Sequence, residues 1–209
     1  KPILLIGQTF GDFDQVNESI FKAALKKVTC IIVRDENSRA DVLKFGCSCS
    51  VAPDLALSKI GQKSAGNYLT LIPAQQDMRS MSLLVQGISS YSRSKNIKIK
   101  LLATRLYQRD VDTLYLMKNM LDQNGCTSEV VIPESYDNLC REIKESSLVI
   151  SKNLHGLIIA WRDGIPVISI NNEKKVTGFL VQSNLLYSYL DLRKSAKADL
   201  SAMIASLID

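Results

Sequence analysis

Short apolar runs and segments of helical spacing alternate along almost the whole chain, and that alternation leaves few folds open. Ile3–Ile6 has the composition of a buried strand, and Gly7–Asp14 that of a glycine-bearing turn. Asn17 is placed to cap a helix whose apolar positions Ile20, Phe21, Ala24, Leu25 and Val28 keep helical spacing. Cys30–Val33 is the next strand, Ser38–Phe45 a short helix stopped by Gly46, and Ser50–Val51 a brief strand. Gly61–Asn67 is glycine-rich, polar and unpatterned, as a linker is. Beyond it the alternation restarts. Strands are expected at Tyr68–Ile72, Ile97–Ala103 and Val130–Ile132, and helices at Arg79–Tyr91, Val111–Gln123 and Tyr136–Glu145. The tail, Ser195–Ile208, carries Leu200, Met203, Ile204 and Leu207 on one helical face.

Such alternation predicts an α/β fold with mostly parallel sheets covered on both faces. With the linker it predicts two Rossmann-like domains, residues 1–62 and 66–190, followed by an amphipathic helix over 194–209. Lys1-Pro2 runs straight into a buried strand. The first domain is therefore expected to be incomplete, residues 1–62 being its C-terminal part.

Charge and cysteine usage exclude several function classes. The net charge is +5, with 26 basic residues spread along the chain rather than clustered. In the densest run, Lys98 and Lys100 alternate with Ile97, Ile99 and Leu101, which predicts the wet face of a strand. Nothing here predicts nucleic-acid binding; the mild excess fits anionic substrates or lipid headgroups. The five cysteines are odd in number and irregularly spaced, unlike a disulfide framework, and with one distant histidine they make no zinc set. Thiols in a reducing cytoplasm are expected. No apolar run is long enough to span a bilayer.

The segment Ser147–Asn172 concentrates the chemistry. An apolar run (Leu148, Val149, Ile150) ends in a polar turn, followed by His155-Gly156 and an apolar helical stretch; Gly164-Ile165-Pro166 stops it before a second apolar strand. The only histidine thus sits past the carboxyl end of a strand and at a helix start, where open α/β sheets bind ligands. Unpaired N–H groups and the helix dipole favour an anion there. Arg34 and Asp35 also follow a strand directly. Arg34 either grips a phosphate or carboxylate or joins Asp35 and Glu36 in a surface cluster supporting the next helix. Gly7–Phe13 permits close backbone approach but lacks a dinucleotide or P-loop signature. In Asn171–Val176, Lys174 or Lys175 either points into the same crevice or is solvated. No catalytic triad and no acidic metal cluster is legible.

Taken together, these segments resemble the polysaccharide pyruvyl transferase family over nearly the whole chain. IGQTFGDF resembles its Gly-Gln-x-x-Gly turn through Gly7, Gln8 and Gly11. IIVRDENSRADVLKFG resembles its Arg-Asp-x-x-Ser-x-x-x-Leu-x-x-x-Gly segment, and VAPDLAL its Pro-Asp-Pro-Ala-Phe strand end. SLVISKNLHGLIIAWRDGIPVISI resembles Ser-x-Arg-Leu-His-Gly-x-x-x-Ala followed by Gly-x-Pro, and NNEKKVTGFL the Tyr-x-x-Lys-Val segment. Asn153 replaces the family arginine, Asp12 a usual proline, and Pro73-Ala74-Gln75 lacks an arginine often found there.

The resemblance implies a GT-B-like two-domain fold and transfer of pyruvate from phosphoenolpyruvate onto two hydroxyls of a saccharide. It implies His155 as the catalytic group and Arg34, His155, Gly156 and Lys175 as donor-binding residues. Gly7, Gln8, Gly11, Asp35, Asn153 and Lys174 form a second tier. It implies no metal and no cofactor, since phosphoenolpyruvate is a substrate. The acceptor is a saccharide, lipid-linked forms included, with much of its site expected upstream, and the setting is the cytoplasm with peripheral membrane contact allowed. Two other functions fit the same scaffold: a glycosyltransferase using a nucleotide sugar, and a non-catalytic member of the fold.

Overall fold

The computed structural model describes residues 1–8, 15–57, 66–104 and 107–208. The first part comprises β1 (Leu4–Gln8), α1 (Gln15–Leu25), β2 (Cys30–Val33), α2 (Glu36–Lys44) and β3 (Ser50–Val51), closed by a 3-10 turn at Leu55–Leu57. Its three strands form one sheet in the order β1-β2-β3, every pair parallel. Leu25, Ile31, Val33, Val42 and Phe45 make a small core on this sheet. Leu4 and Ile6 of edge strand β1 stay exposed.

The second part comprises β4 (Tyr68–Ile72), α3 (Met78–Lys95), β5 (Lys98–Leu102), α4 (Gln108–Gln123), β6 (Ser128–Val131), α5 (Tyr136–Lys144) and β7 (Ser146–Ser151). It continues through α6 (Leu154–Arg162), β8 (Val167–Ser169), α7 (Lys174–Gln182) and α8 (Lys197–Ile208). Its sheet has the order β6-β5-β4-β7-β8, again parallel throughout. The chain therefore builds to one side of β4, then returns to build on the other. The gap between the carboxyl ends of β4 and β7 is the topological switch point, where such sheets bind ligands.

Period-two alternation sorts the strand residues onto two buried faces. Leu69, Leu71, Ile99, Leu101, Leu148 and Ile150 pack with Leu84, Ile88, Met117, Leu121, Leu200 and Ile204 of α3, α4 and α8. Ile72, Leu102, Val149 and Val167 pack with Ile143, Leu157, Ile158, Val176 and Leu180 of α5, α6 and α7. Each fully buried aliphatic side chain contributes roughly 1.5–3 kcal/mol. Gly87 lets α8 close on α3, since a Cβ there would lie 2.9 Å from Leu200 Cδ2.

The parallel α/β architecture agrees with the sequence reading, and Cys30–Val33, Ser50–Val51 and Tyr68–Ile72 are strands as expected. Several details differ. Lys100 does not face water: its residue is 0% exposed. Both faces of this sheet are covered, so a lysine alternating with apolar neighbours is buried too; its Nζ lies 2.7 Å from Glu142 Oε2, 2.6 Å from Glu145 Oε2 and 4.2 Å from the Tyr68 ring centroid. Helix α2 starts at Glu36, because Asp35 accepts from the Ser38 amide at 2.7 Å and caps it. Asn17 lies inside α1 rather than before it. Helix α3 runs to Lys95 until Asn96 turns left-handed. Residues 174–182, expected only to carry lysines, form helix α7. Most of the expected linker, 61–65, lies outside the described residues.

Candidate active site

A cleft of about 1000 Å³ opens at the carboxyl ends of β4, β5, β7 and β8, and Arg34 from the end of β2 lines it as well. Both sheets thus present their ligand-binding ends to the same space.

The floor is built from a turn used twice. β7 ends in Ser151-Lys152-Asn153 and β8 in Ser169-Ile170-Asn171. In the first, Ser151 Oγ accepts from the Asn153 amide at 2.9 Å and donates to its carbonyl at 2.8 Å. In the second, Ser169 Oγ does the same to Asn171 at 3.4 and 3.2 Å. Asn171 Nδ2 donates to the Lys152 carbonyl at 2.9 Å and ties the two turns together. Asn153 Oδ1 accepts from the amides of His155 at 2.9 Å and Gly156 at 3.4 Å, the N-cap of α6. The residue replacing the family arginine is therefore buried and structural.

That cap corrects one expectation: the amides of His155 and Gly156 are not left for an anion, because Asn153 takes both. Gly156 is buried behind the turn, and a Cβ there would lie 2.6 Å from Ile72 Cδ1 and 2.9 Å from Ser151 Oγ. Its glycine lets α6 lie against β4 and β7. His155, one residue earlier, is exposed and lines the cleft. Anion affinity must come mainly from side chains.

Arg34 is anchored as well as available. Its Nη1 donates to Asp54 Oδ2 at 3.2 Å, and its Nε lies 3.7 Å from Asp35 Oδ2. Its side chain is only 12% exposed, and Nε is buried without a hydrogen-bond partner among the described residues. An arginine held by carboxylates at a cleft wall is oriented to meet an acceptor atom through its remaining N–H groups. Gln182 Nε2 of α7 donates to the Arg34 carbonyl at 3.3 Å, so α7 ties β2 to the second sheet.

Lys175 pairs with Glu173 at 2.7 Å on the cleft rim. Lys175 beside it holds the Glu173 carboxyl below the usual carboxylate range, against the opposing effect of burial. Lys174 instead reaches across to Asp41 of α2 at 2.7 Å, so of the two lysines only Lys175 lines the cleft. Asp35 and Lys174 thus brace the site from outside the cleft. Gly7 falls in β1 and does not line the cleft; of Gln8 only the strand backbone is described, and Gly11 lies outside the described residues.

The structure brings together Arg34, Asn153, His155 and Lys175 from among the expected residues. Sequence reasoning did not single out Gln75, Tyr107, Arg109, Lys152 or Asn171 as site residues. Lys152 Nζ donates to the Gln75 carbonyl at 2.5 Å. The repeated Ser-x-Asn turn was the available signal for Asn171; Arg109 and Tyr107 carry none. A smaller pocket of about 240 Å³ shares Arg34, Leu154 and Lys175 and has apolar walls that include Trp161 and Phe179. Among the described residues no group of three or more His, Cys, Asp or Glu side chains could hold a metal ion, and no helix is long and apolar enough to cross a membrane.

Residues 1–174 match the family model of polysaccharide pyruvyl transferase. Curated proteins give no match. Among solved structures, Anabaena Alr3699/HepE in complex with UDP and glucose is 11% identical, with a TM-score of 0.52, over 100% of this chain and 68% of that one. A glycosyltransferase from Rickettsia africae is 9% identical, TM-score 0.51, over 99% and 66%. The glycosylation-associated Gap123 complex of Streptococcus agalactiae is 15% identical, TM-score 0.56, over 99% and 47%. At these identities the likeness is one of fold: the parallel α/β architecture of GT-B glycosyltransferases and related proteins. The chain spans between about half and two thirds of the length of these three.

Proposed function

The chain belongs to the polysaccharide pyruvyl transferase family, and on that premise we propose that it transfers pyruvate from phosphoenolpyruvate onto two hydroxyls of one saccharide, closing a cyclic ketal. The observation that carries this reading is the convergence of Arg34 from one sheet with Lys152, His155 and Lys175 from the other on a single cleft. Phosphoenolpyruvate bears a phosphate and a carboxylate, and needs cations on more than one side. In this reading the chain divides into units over 1–62 and 66–190 and the donor lies between them.

In this reading His155 gives a proton to the methylene carbon of the donor, leaving positive charge at the carbon that bears the phosphate. A sugar hydroxyl attacks that carbon. The carbon–oxygen bond to phosphate then breaks, and Arg34, Lys152 and Lys175 neutralise the departing charge. A second hydroxyl closes the ring. Of the two hydroxyl protons released, one replaces the proton spent on the new methyl group and the other leaves with phosphate. Lys175 is free to turn to the donor because an exposed pair such as Lys175–Glu173 holds it by only about 0–1 kcal/mol. Lys152 supplies, one residue away, the charge that Asn153 lacks. Phosphoenolpyruvate is a cytoplasmic metabolite, which sets the reaction in the cytoplasm; a lipid-linked acceptor would bring the protein to the membrane surface.

Calorimetric titration of phosphoenolpyruvate into the chain tests this, with inorganic phosphate and UDP-glucose as controls. Binding is expected to weaken by about 10- to 100-fold in Arg34→Ala, the loss of one or two charged hydrogen bonds. His155→Ala is expected to cost about 10²- to 10⁴-fold in turnover. Unchanged binding in Arg34→Ala, or preference for UDP-glucose over phosphoenolpyruvate, would overturn the reading in favour of a nucleotide-sugar enzyme.

A further inference from the structure

The cleft is not chemically uniform. The sheet order places its strand ends in the sequence β5, β4, β7, β8. His155 and Lys175 lie at the β7 and β8 end, Arg34 lines the same cleft, and Lys152 leans from β7 to the Gln75 carbonyl. The β5 and β4 end is different: it presents Gln75, Asp77, Tyr107, Arg109 and Asp110. Tyr107 is 68% exposed although it lines a cleft, and its hydroxyl has no hydrogen-bond partner among the described residues. It occupies the N-cap position of α4 without making a side-chain cap bond. The loop after β4 is tied to the first turn of α4, because Asp110 Oδ1 accepts from the Gln75 amide at 3.0 Å. Arg109 has no ion pair among the described residues.

We propose that Tyr107 is the stacking platform for a saccharide, with the planar polar groups around it reading the hydroxyls. One face of a pyranose ring is lined by C–H bonds of slight positive charge, and a phenol ring offers a negative face to match. Carboxylate, amide and guanidinium groups span adjacent hydroxyls with paired hydrogen bonds. Two strand spacings separate β5 from β7, about 10 Å. That is near the length of a disaccharide, so a sugar on Tyr107 extends its next residue towards His155. That this sugar is the acceptor rests on the pyruvyl-transfer reading; that a sugar binds there does not.

Saturation-transfer NMR on the chain separates the two claims. The probes are methyl β-galactopyranoside, methyl β-glucopyranoside, methyl α-mannopyranoside and uridine, against wild type, Tyr107→Ala and Tyr107→Trp. At least one glycoside is expected to show transfer to the protons of one ring face. The signal should fall about 5-fold or more in Tyr107→Ala and persist in Tyr107→Trp. The tyrosine is exposed, so neither variant disturbs the core. No transfer from any glycoside, transfer indifferent to Tyr107→Ala, or Tyr107-dependent transfer from uridine instead would each overturn the platform. Tyr107-dependent glycoside binding in a protein that ignores phosphoenolpyruvate would uphold it while sinking the donor assignment.

Discussion

Lys100 is a buried cation, held by two carboxylates 42 and 45 residues further along the chain. Burial pulls its pKa down, but the hydrogen bonds and charges of Glu142 and Glu145 outweigh burial and leave it raised above the ordinary lysine value. Removing one partner of such a cluster is costly. Lys100→Ala is expected to lower the unfolding free energy by about 3 kcal/mol in urea titrations. The pH dependence follows from the direction of the shift. A raised lysine contributes fully below its unfolded pKa of about 10.4 and loses that contribution as pH climbs through the higher folded value. Urea midpoints should therefore show no loss from this group between neutrality and about pH 10, then fall above it in wild type and less in Lys100→Met. Alternation in the sequence was enough to place Lys100 on a strand. It could not say that the lysine face was covered as well, because that depends on α5, and nothing within Ile97–Leu101 reports on α5.

At the scale of elements, strands were more legible than helix ends. A buried strand announces itself by composition, whereas α2 and α6 start where Asp35 and Asn153 make cap bonds that only a folded turn reveals. Helix α7 was missed because its first turn is Lys174-Lys175, which suits a solvated loop equally well; Val176 and Leu180 bury against α6 and decide the matter. The α6 cap also gives a way to separate structure from charge. Asn153→Ala removes the acceptor for two amides and is expected to cost about 1 kcal/mol in thermal or urea unfolding. Asn153→Asp keeps the cap, so stability should hold within about 0.5 kcal/mol, yet it adds a negative charge to the cleft. Phosphoenolpyruvate binding by calorimetry should then weaken by about tenfold. Equal loss of stability in both variants would mean that the cap bond is not what fixes α6. Of the site, His155, Arg34 and Lys175 were legible because each lies in a segment that resembles a family motif; Tyr107 and Arg109 lie outside those segments and carry no such mark.

At the scale of the molecule, two parallel sheets meet at one cleft, bridged by α7 through Lys174–Asp41 and the Gln182 contact to Arg34. The central pair, β4 with β7, joins segments far apart in sequence: the hydroxyls of Thr70 and Ser146, 2.6 Å apart in space, are 76 residues apart along the chain. Every other pairing in that sheet encloses a shorter loop. Closing the longest loop costs the most chain entropy before any contact repays it, so β4–β7 should zip late when the protein folds. The switch point lies between those two strands, and so in refolding from urea the far-ultraviolet helix signal should recover before the ability to bind phosphoenolpyruvate. Simultaneous recovery of the two signals would rule this order out. A newly made chain would then pass through a stage that is already largely helical and still blind to its ligand, the site being among the last parts of the molecule to exist.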